Sequence, residues 1–158
     1  MLFREGILVV SDKLTLAYGS QIESIILYLV RNLSKEKEKR NPNVREFLNL
    51  IVYNCTSGSG RAALTVYEAM EQLEEINTIG VGGLASVGTF LLLGGKKRLA
   101  HANTQMKVSY PSQIQEEGER RISTQMLNIY REKTGQPKKP YWMSAIEAKS
   151  YGIIDSII

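Results

Sequence analysis

Ser86 stands where a nucleophile would. It lies in the stretch TIGVGGLASVGTFLLLGG, Thr78 to Gly95, which opens as a short strand-like run, turns on Gly82 and Gly83, and continues as an apolar helical segment. Val87, Phe90 and Leu91 recur at helical spacing, and Gly94 and Gly95 end the run. A serine at a strand-to-helix turn exposes its hydroxyl at a helix N-terminus, where backbone N–H groups can stabilise an oxyanion. The competing role is plain: a serine there can simply cap the helix. A working serine also needs a base to take its proton and a third group to orient that base. The chain has one histidine, His101, and its only aspartates are Asp12 and Asp155. Cys55, the one cysteine, has no histidine near it in sequence and is expected to pack rather than react.

Composition sets the frame for this chemistry. A chain of 158 residues with 43% apolar content is one domain, residues 1–158, with enough material for a single core. No apolar run reaches membrane-spanning length, and Met1 to Glu5 lead directly into a strand with no signal or transit peptide in view. A single cysteine excludes an internal disulfide and suits a reducing compartment. The net charge of +4 invites a nucleic-acid reading, but the basic residues are scattered and the run Lys35 to Arg40 alternates Lys with Glu. Without aromatic residues between the lysines, no nucleic-acid surface is expected.

The elements that must position Ser86 follow a βαβ rhythm. Ile7 to Val10 reads as a buried strand, and Ser20 with Glu23 as a capping box ahead of a helix striped by Ile22, Ile25, Ile26, Leu29, Val30 and Leu33. Residues 34–46 are charged and interrupted by Pro42, which reads as a loop. Leu48 to Tyr53 is the next strand, and Ala63, Val66, Tyr67, Met70 and Leu73 stripe a second helix. Alternation of this kind predicts a parallel sheet with helices on its faces. Met106 to Tyr110 reads as a further strand. Ile122, Met126, Ile129 and Tyr130 stripe a long helix, and Ser144 with Glu147 opens a last helix that Gly152 stops before Ile153-Ile154 returns to strand.

The order of these motifs resembles the ClpP family of self-compartmentalising serine peptidases, in its plastid-type branch. The segment around Ser86 is similar to the family's active-serine segment, and Tyr53-Asn54-Cys55-Thr56-Ser57-Gly58-Ser59 to its Asn-Ser-Pro-Gly-Gly loop. Lys97-Arg98-Leu99-Ala100, Thr134-Gly135-Gln136-Pro137, Trp142-Met143-Ser144-Ala145 and Tyr151-Gly152-Ile153-Ile154-Asp155 extend the likeness over nearly the whole chain. The resemblance implies an α/β fold, the repeated βαβ spiral that ClpP shares with crotonase, with a protruding handle helix at about residues 112–134. Residues 34–46 then form a charged loop insertion.

The resemblance also assigns roles. Ser86 takes the nucleophile position, and the N–H groups of Gly58 and Val87 take the oxyanion positions. The family's base histidine falls on Ser109, and its acid falls in a segment between Pro137 and Met143 that here carries no carboxylate. His101 is then a surface or packed histidine, and Asp155 matches a non-catalytic aspartate. Lys107, two residues before Ser109, would share its face on a strand and offers a Ser–Lys dyad if burial keeps it neutral. The resulting expectation is a catalytically inactive, ClpR-like subunit. It would sit with paralogous ClpP and ClpR subunits in heptameric rings stacked in pairs as a tetradecamer, serving an AAA+ unfoldase in the chloroplast stroma or, alternatively, a bacterial cytoplasm. No cofactor and no metal are implied. The handle stripe is expected to be exposed in the subunit and covered by the opposite ring. An active ATP-dependent serine endopeptidase and a crotonase-type acyl-CoA enzyme are the alternatives.

Overall fold

The computed structural model describes residues 3–4, 6–39, 48–73, 75–109, 117–136 and 141–158. Strands β1 (Phe3–Arg4), β2 (Ile7–Ser11), β3 (Leu48–Tyr53), β4 (Ile76–Val81), β6 (Lys97–Ala100) and β9 (Ser156–Ile157) form a six-stranded sheet in the order β1-β2-β3-β4-β6-β9. All of its pairings are parallel except the antiparallel β1–β2 edge. Strands β5 (Gly83–Ala85), β7 (Gln105–Lys107) and β8 (Trp142–Ser144) form a second sheet in the order β5-β7-β8. The helices are α1 (Leu16–Lys39), α2 (Gly60–Glu71), α3 (Val87–Leu92), α4 (Glu117–Thr134) and α5 (Ala145–Tyr151). Alternating burial along β2, β3 and β4 and the buried stripe of α2, including Ala63, Val66, Tyr67 and Met70, put the core between sheet and helices.

Several boundaries differ from the sequence reading for identifiable reasons. Helix α1 begins at Leu16, and Thr15 Oγ1 accepts from Tyr18 N–H at 3.2 Å, so Thr15 caps it and Ser20 lies inside. A capping pattern within a continuing amphipathic helix has no helix end to cap. The charged run after Ser34 stays helical through Lys39, because Lys and Glu are good helix formers and Pro42 comes too late to interrupt them. Residues 40–46 of the expected loop lie outside the described residues, as do Tyr110, residues 112–116 of the handle and Pro137 to Pro140. The last strand is Ser156–Ile157, while Ile153 and Ile154 are buried in the turn that leads to it. Ser144 and Glu147 do form the reciprocal capping box, and Gly152 ends α5 at φ +94°.

The largest correction concerns α4. Its stripe is not exposed: Met126 and Tyr130 are each 2% exposed, and Ile122 and Ile129 pack against the core. Gly60 makes this docking possible, since a Cβ there would lie 2.9 Å from Ile122 Cγ2. Phe90 sits between Tyr67 and Tyr130, with ring centroids 5.4 and 5.7 Å away. Lys133 closes the junction, 3.6 Å from Glu71 and over the Tyr67 ring. The outward face of α4, from Glu117 to Arg121, remains exposed.

Candidate active site

Two backbone segments meet at Ser86. The first is the loop after β3, where Asn54 adopts φ +46° and its Oδ1 accepts from Gly83 N–H at 3.0 Å. The Cys55 carbonyl accepts from Ala85 N–H at 3.1 Å. On its far side the same loop is tied to Leu14, whose N–H donates to the Ser57 carbonyl at 3.1 Å and whose carbonyl accepts from Ser59 N–H at 2.8 Å. Gly58, at φ +151°, must be glycine, because a Cβ would press into the Leu14 carbonyl.

The second segment is the turn into α3. Gly88, in the first turn of α3, lies so close to the Cys55 carbonyl that any side chain there would collide with it. Ser86 adopts φ +52° and ψ −120°, a conformation that costs of order 1–3 kcal/mol for a residue with a Cβ. Its side chain makes no capping hydrogen bond to α3. The choice left open by the sequence is thereby resolved in one respect: Ser86 does not cap the helix it precedes.

Ser86, Val87 and Gly58 line one groove of about 410 Å³. Leu16, Ile122 and Met126 supply apolar walls, and Ser59, Arg61, Glu119 and Ser123 supply polar ones. The sequence reading did not single out Arg61 or Glu119 for this site. A signal for Arg61 was present, a cation just after the Ser59-Gly60 start of a helix, where the macrodipole disfavours positive charge.

The other candidates lie elsewhere. His101 is exposed in the turn after β6, its N–H donating to the Gly80 carbonyl, and it does not line the groove. Lys107 is half-buried at the end of β7, in register with Ala85, and its carbonyl accepts from Thr89 Oγ1 at 3.0 Å. Because β7 ends there, strand alternation does not carry from Lys107 to Ser109, and neither residue lines the groove. Cys55 is buried, and that burial is the main cause pushing its thiol up to about 11, so it is not a ready thiolate. Among the described residues no three His, Cys, Asp or Glu side chains gather as a metal site, and no helix is long and apolar enough to cross a membrane.

Asp155 is engaged in structure. Arg98 Nη2 donates to Oδ1 at 2.7 Å, Arg98 N–H donates to Oδ2 at 2.9 Å, and Asp155 N–H returns to the Arg98 carbonyl at 2.7 Å. Partial burial works against the carboxylate, but the Arg98 hydrogen bonds and charge prevail and hold its pKa below the ordinary value of 3.8. A depressed carboxylate pKa stabilises the fold above the unfolded value, and that contribution disappears as pH falls through the folded one. Asp155→Asn is therefore expected to lower Tm at pH 6, with a difference that shrinks progressively as pH falls below 3.8. Parallel melting curves of the two proteins at pH 6 and over a series below pH 3.8 check it, and an undiminished difference through that series would contradict the assignment.

Comparison with known proteins agrees with this fold. The Clp protease family profile matches residues 1–158. The chain belongs to the Clp protease family. The ATP-dependent Clp protease proteolytic subunit of Pleurastrum terricola is 33% identical over 178 residues, covering 99% of this chain and 85% of the relative. The subunits of the same description from Oltmannsiellopsis viridis and Chlorella vulgaris are 32% and 31% identical, again over 99% of this chain and over 85% and 83% of their own lengths. The ClpP protease catalytic domain from Plasmodium falciparum superposes with a TM-score of 0.78 at 24% identity, covering 98% of this chain and 85% of that one, a likeness of fold. Aligned lengths of 178 residues against a chain of 158 mean that this Clp family member lacks residues its algal relatives carry.

Proposed function

We propose that this chain is a structural subunit of an ATP-dependent Clp protease core that keeps its nucleophile serine but performs no peptide hydrolysis of its own. One observation supports the reading: among the described residues the groove at Ser86 is lined by no imidazole, the chain's single histidine, His101, being exposed beyond β6, while the family resemblance puts Ser109 at the base position. Gly58 and Val87, which the family resemblance assigns to the oxyanion, share the groove with Ser86. An oxyanion site without a base retains only residual catalysis, about 10⁴-fold or more below an intact triad. The subunit then serves assembly, beside active paralogues in stacked heptameric rings of a chloroplast protease core fed by an AAA+ unfoldase. The algal and plant sources of the relatives support the plastid setting.

The purified chain is expected to turn over neither peptide nor protein substrates, and a fluorophosphonate probe is expected to label Ser86 far more slowly than it labels an active paralogue. Ser109→His alone is expected not to restore turnover, since the segment to which the resemblance assigns the family's acid, between Pro137 and Met143, carries no carboxylate. Labelling of Ser86 at a paralogue's rate would refute the silent reading. It would favour the active serine endopeptidase reading instead. Native mass spectrometry of the isolated complex, with its subunit inventory, tests the mixed ring.

A further inference from the structure

Between β4 and β5 the chain passes from one sheet to the other across a single residue, Gly82, at φ +78°. Asn54 holds both sides of that passage. Its backbone N–H donates to the carbonyl of Val81, the last residue of β4, at 3.1 Å. Its side-chain Oδ1 accepts from the N–H of Gly83, the first residue of β5, at 3.0 Å. The Cys55 carbonyl then accepts from Ala85 N–H at 3.1 Å. On a strand, N–H groups two residues apart point to the same edge. The two acceptors therefore take the place of a further strand on the edge of β5 that β7 leaves free. Gly82 is shaped to this contact, since a Cβ there would press into Asn54 Oδ1.

We propose that Asn54 is the positioning residue for Ser86, holding β5 on the course that delivers the serine to the groove. Ser86 follows directly on Ala85, the last residue of β5, and keeps φ +52° with no capping bond of its own. A strained conformation of that kind persists only where the surrounding structure over-determines it. Both ends of β5 are fixed from residues 54 and 55, and Gly83 is the end that a side chain holds. The residue type follows from two tasks. Asn54 sits at φ +46°, a left-handed conformation that Gly, Asn and Asp adopt most readily. Of these three, only Asn and Asp carry a side-chain oxygen that can accept from Gly83 N–H. Ser86 receives this support whether or not it hydrolyses peptides.

Timed labelling by excess fluorophosphonate, read as the mass shift of the Ser86 peptide, tests this in the full chain. Wild type is compared with Asn54→Asp, Asn54→Gly and Asp155→Asn, and not with a paralogue, so the outcome is separate from the silent reading. Asn54→Gly permits the backbone angle but removes the acceptor, and is expected to label about fivefold more slowly, the worth of one hydrogen bond. Asn54→Asp keeps an acceptor and is expected to label close to the wild-type rate. Asp155→Asn, whose partner is Arg98, weakens the fold away from the turn and is expected to leave the rate unchanged. If wild type labels too slowly to time, amide hydrogen exchange at Ala85 and Val87 replaces it, with faster exchange expected in Asn54→Gly alone. A rate in Asn54→Gly equal to or above wild type overturns the assignment. So does a loss that Asn54→Asp fails to restore, an equal loss in Asp155→Asn, or unchanged exchange in Asn54→Gly.

Discussion

Met126→Asp is expected to cost the domain at least about 3 kcal/mol, a large part of the roughly 5–15 kcal/mol that holds an ordinary domain folded. Met126 is 2% exposed on the stripe by which α4 docks, and its sulfur lies 3.2 Å from where a Gly60 Cβ would stand. A carboxylate introduced there must bury its charge, pull α4 away, or turn into the groove toward Arg61, and each course gives up the packing against Gly60. Urea denaturation followed by circular dichroism would register the loss, with the exposed neighbour Gln125→Asp as a control close to wild type. A Met126→Asp protein as stable as that control would mean that α4 does not rest on α2. For the same reason Ile122→Asp with Ile129→Asp tests the subunit fold before it tests ring pairing.

Gly88→Ala is the second large effect, and its sign is informative. In an ordinary helix, replacing Gly by Ala stabilises by up to about 1 kcal/mol. Here the new methyl meets the Cys55 carbonyl, which is itself bonded to Ala85 N–H, so neither backbone can retreat freely. Overpacking of this kind costs about 1–3 kcal/mol, and occasionally more. The displaced turn is also expected to disturb the backbone that holds Ser86 at positive φ. A Gly88→Ala variant more stable than wild type would show that the loop and the α3 turn are not in the contact described.

Much of this protein was determined by short-range patterns in its sequence. The α2 stripe, the Ser144–Glu147 box, the Gly152 stop and the strand–turn–helix around Ser86 are each written within one or two helical turns, where period and capping chemistry act directly. Strands β5 and β8, each three residues long, leave no legible period, and β7 is legible only as part of the strand read at Met106 to Tyr110, so the sequence does not show the second sheet. Nor could a local pattern choose between Ser20 and Thr15 as the start of α1, because both satisfy a cap and only the packed helix decides. The tertiary structure alone decided three matters. The loop contacts of Gly88 and Ala85 hold Ser86 at positive φ without a capping role. Docking on Gly60 buries a stripe that sequence had left facing outward. Arg61 and Glu119, 58 positions apart in the chain, face one groove because α4 folds back over the start of α2. Local chemistry specifies which residues prefer helix, strand or turn; which of them meet depends on close approaches between distant backbones, and those depend on the whole packed chain.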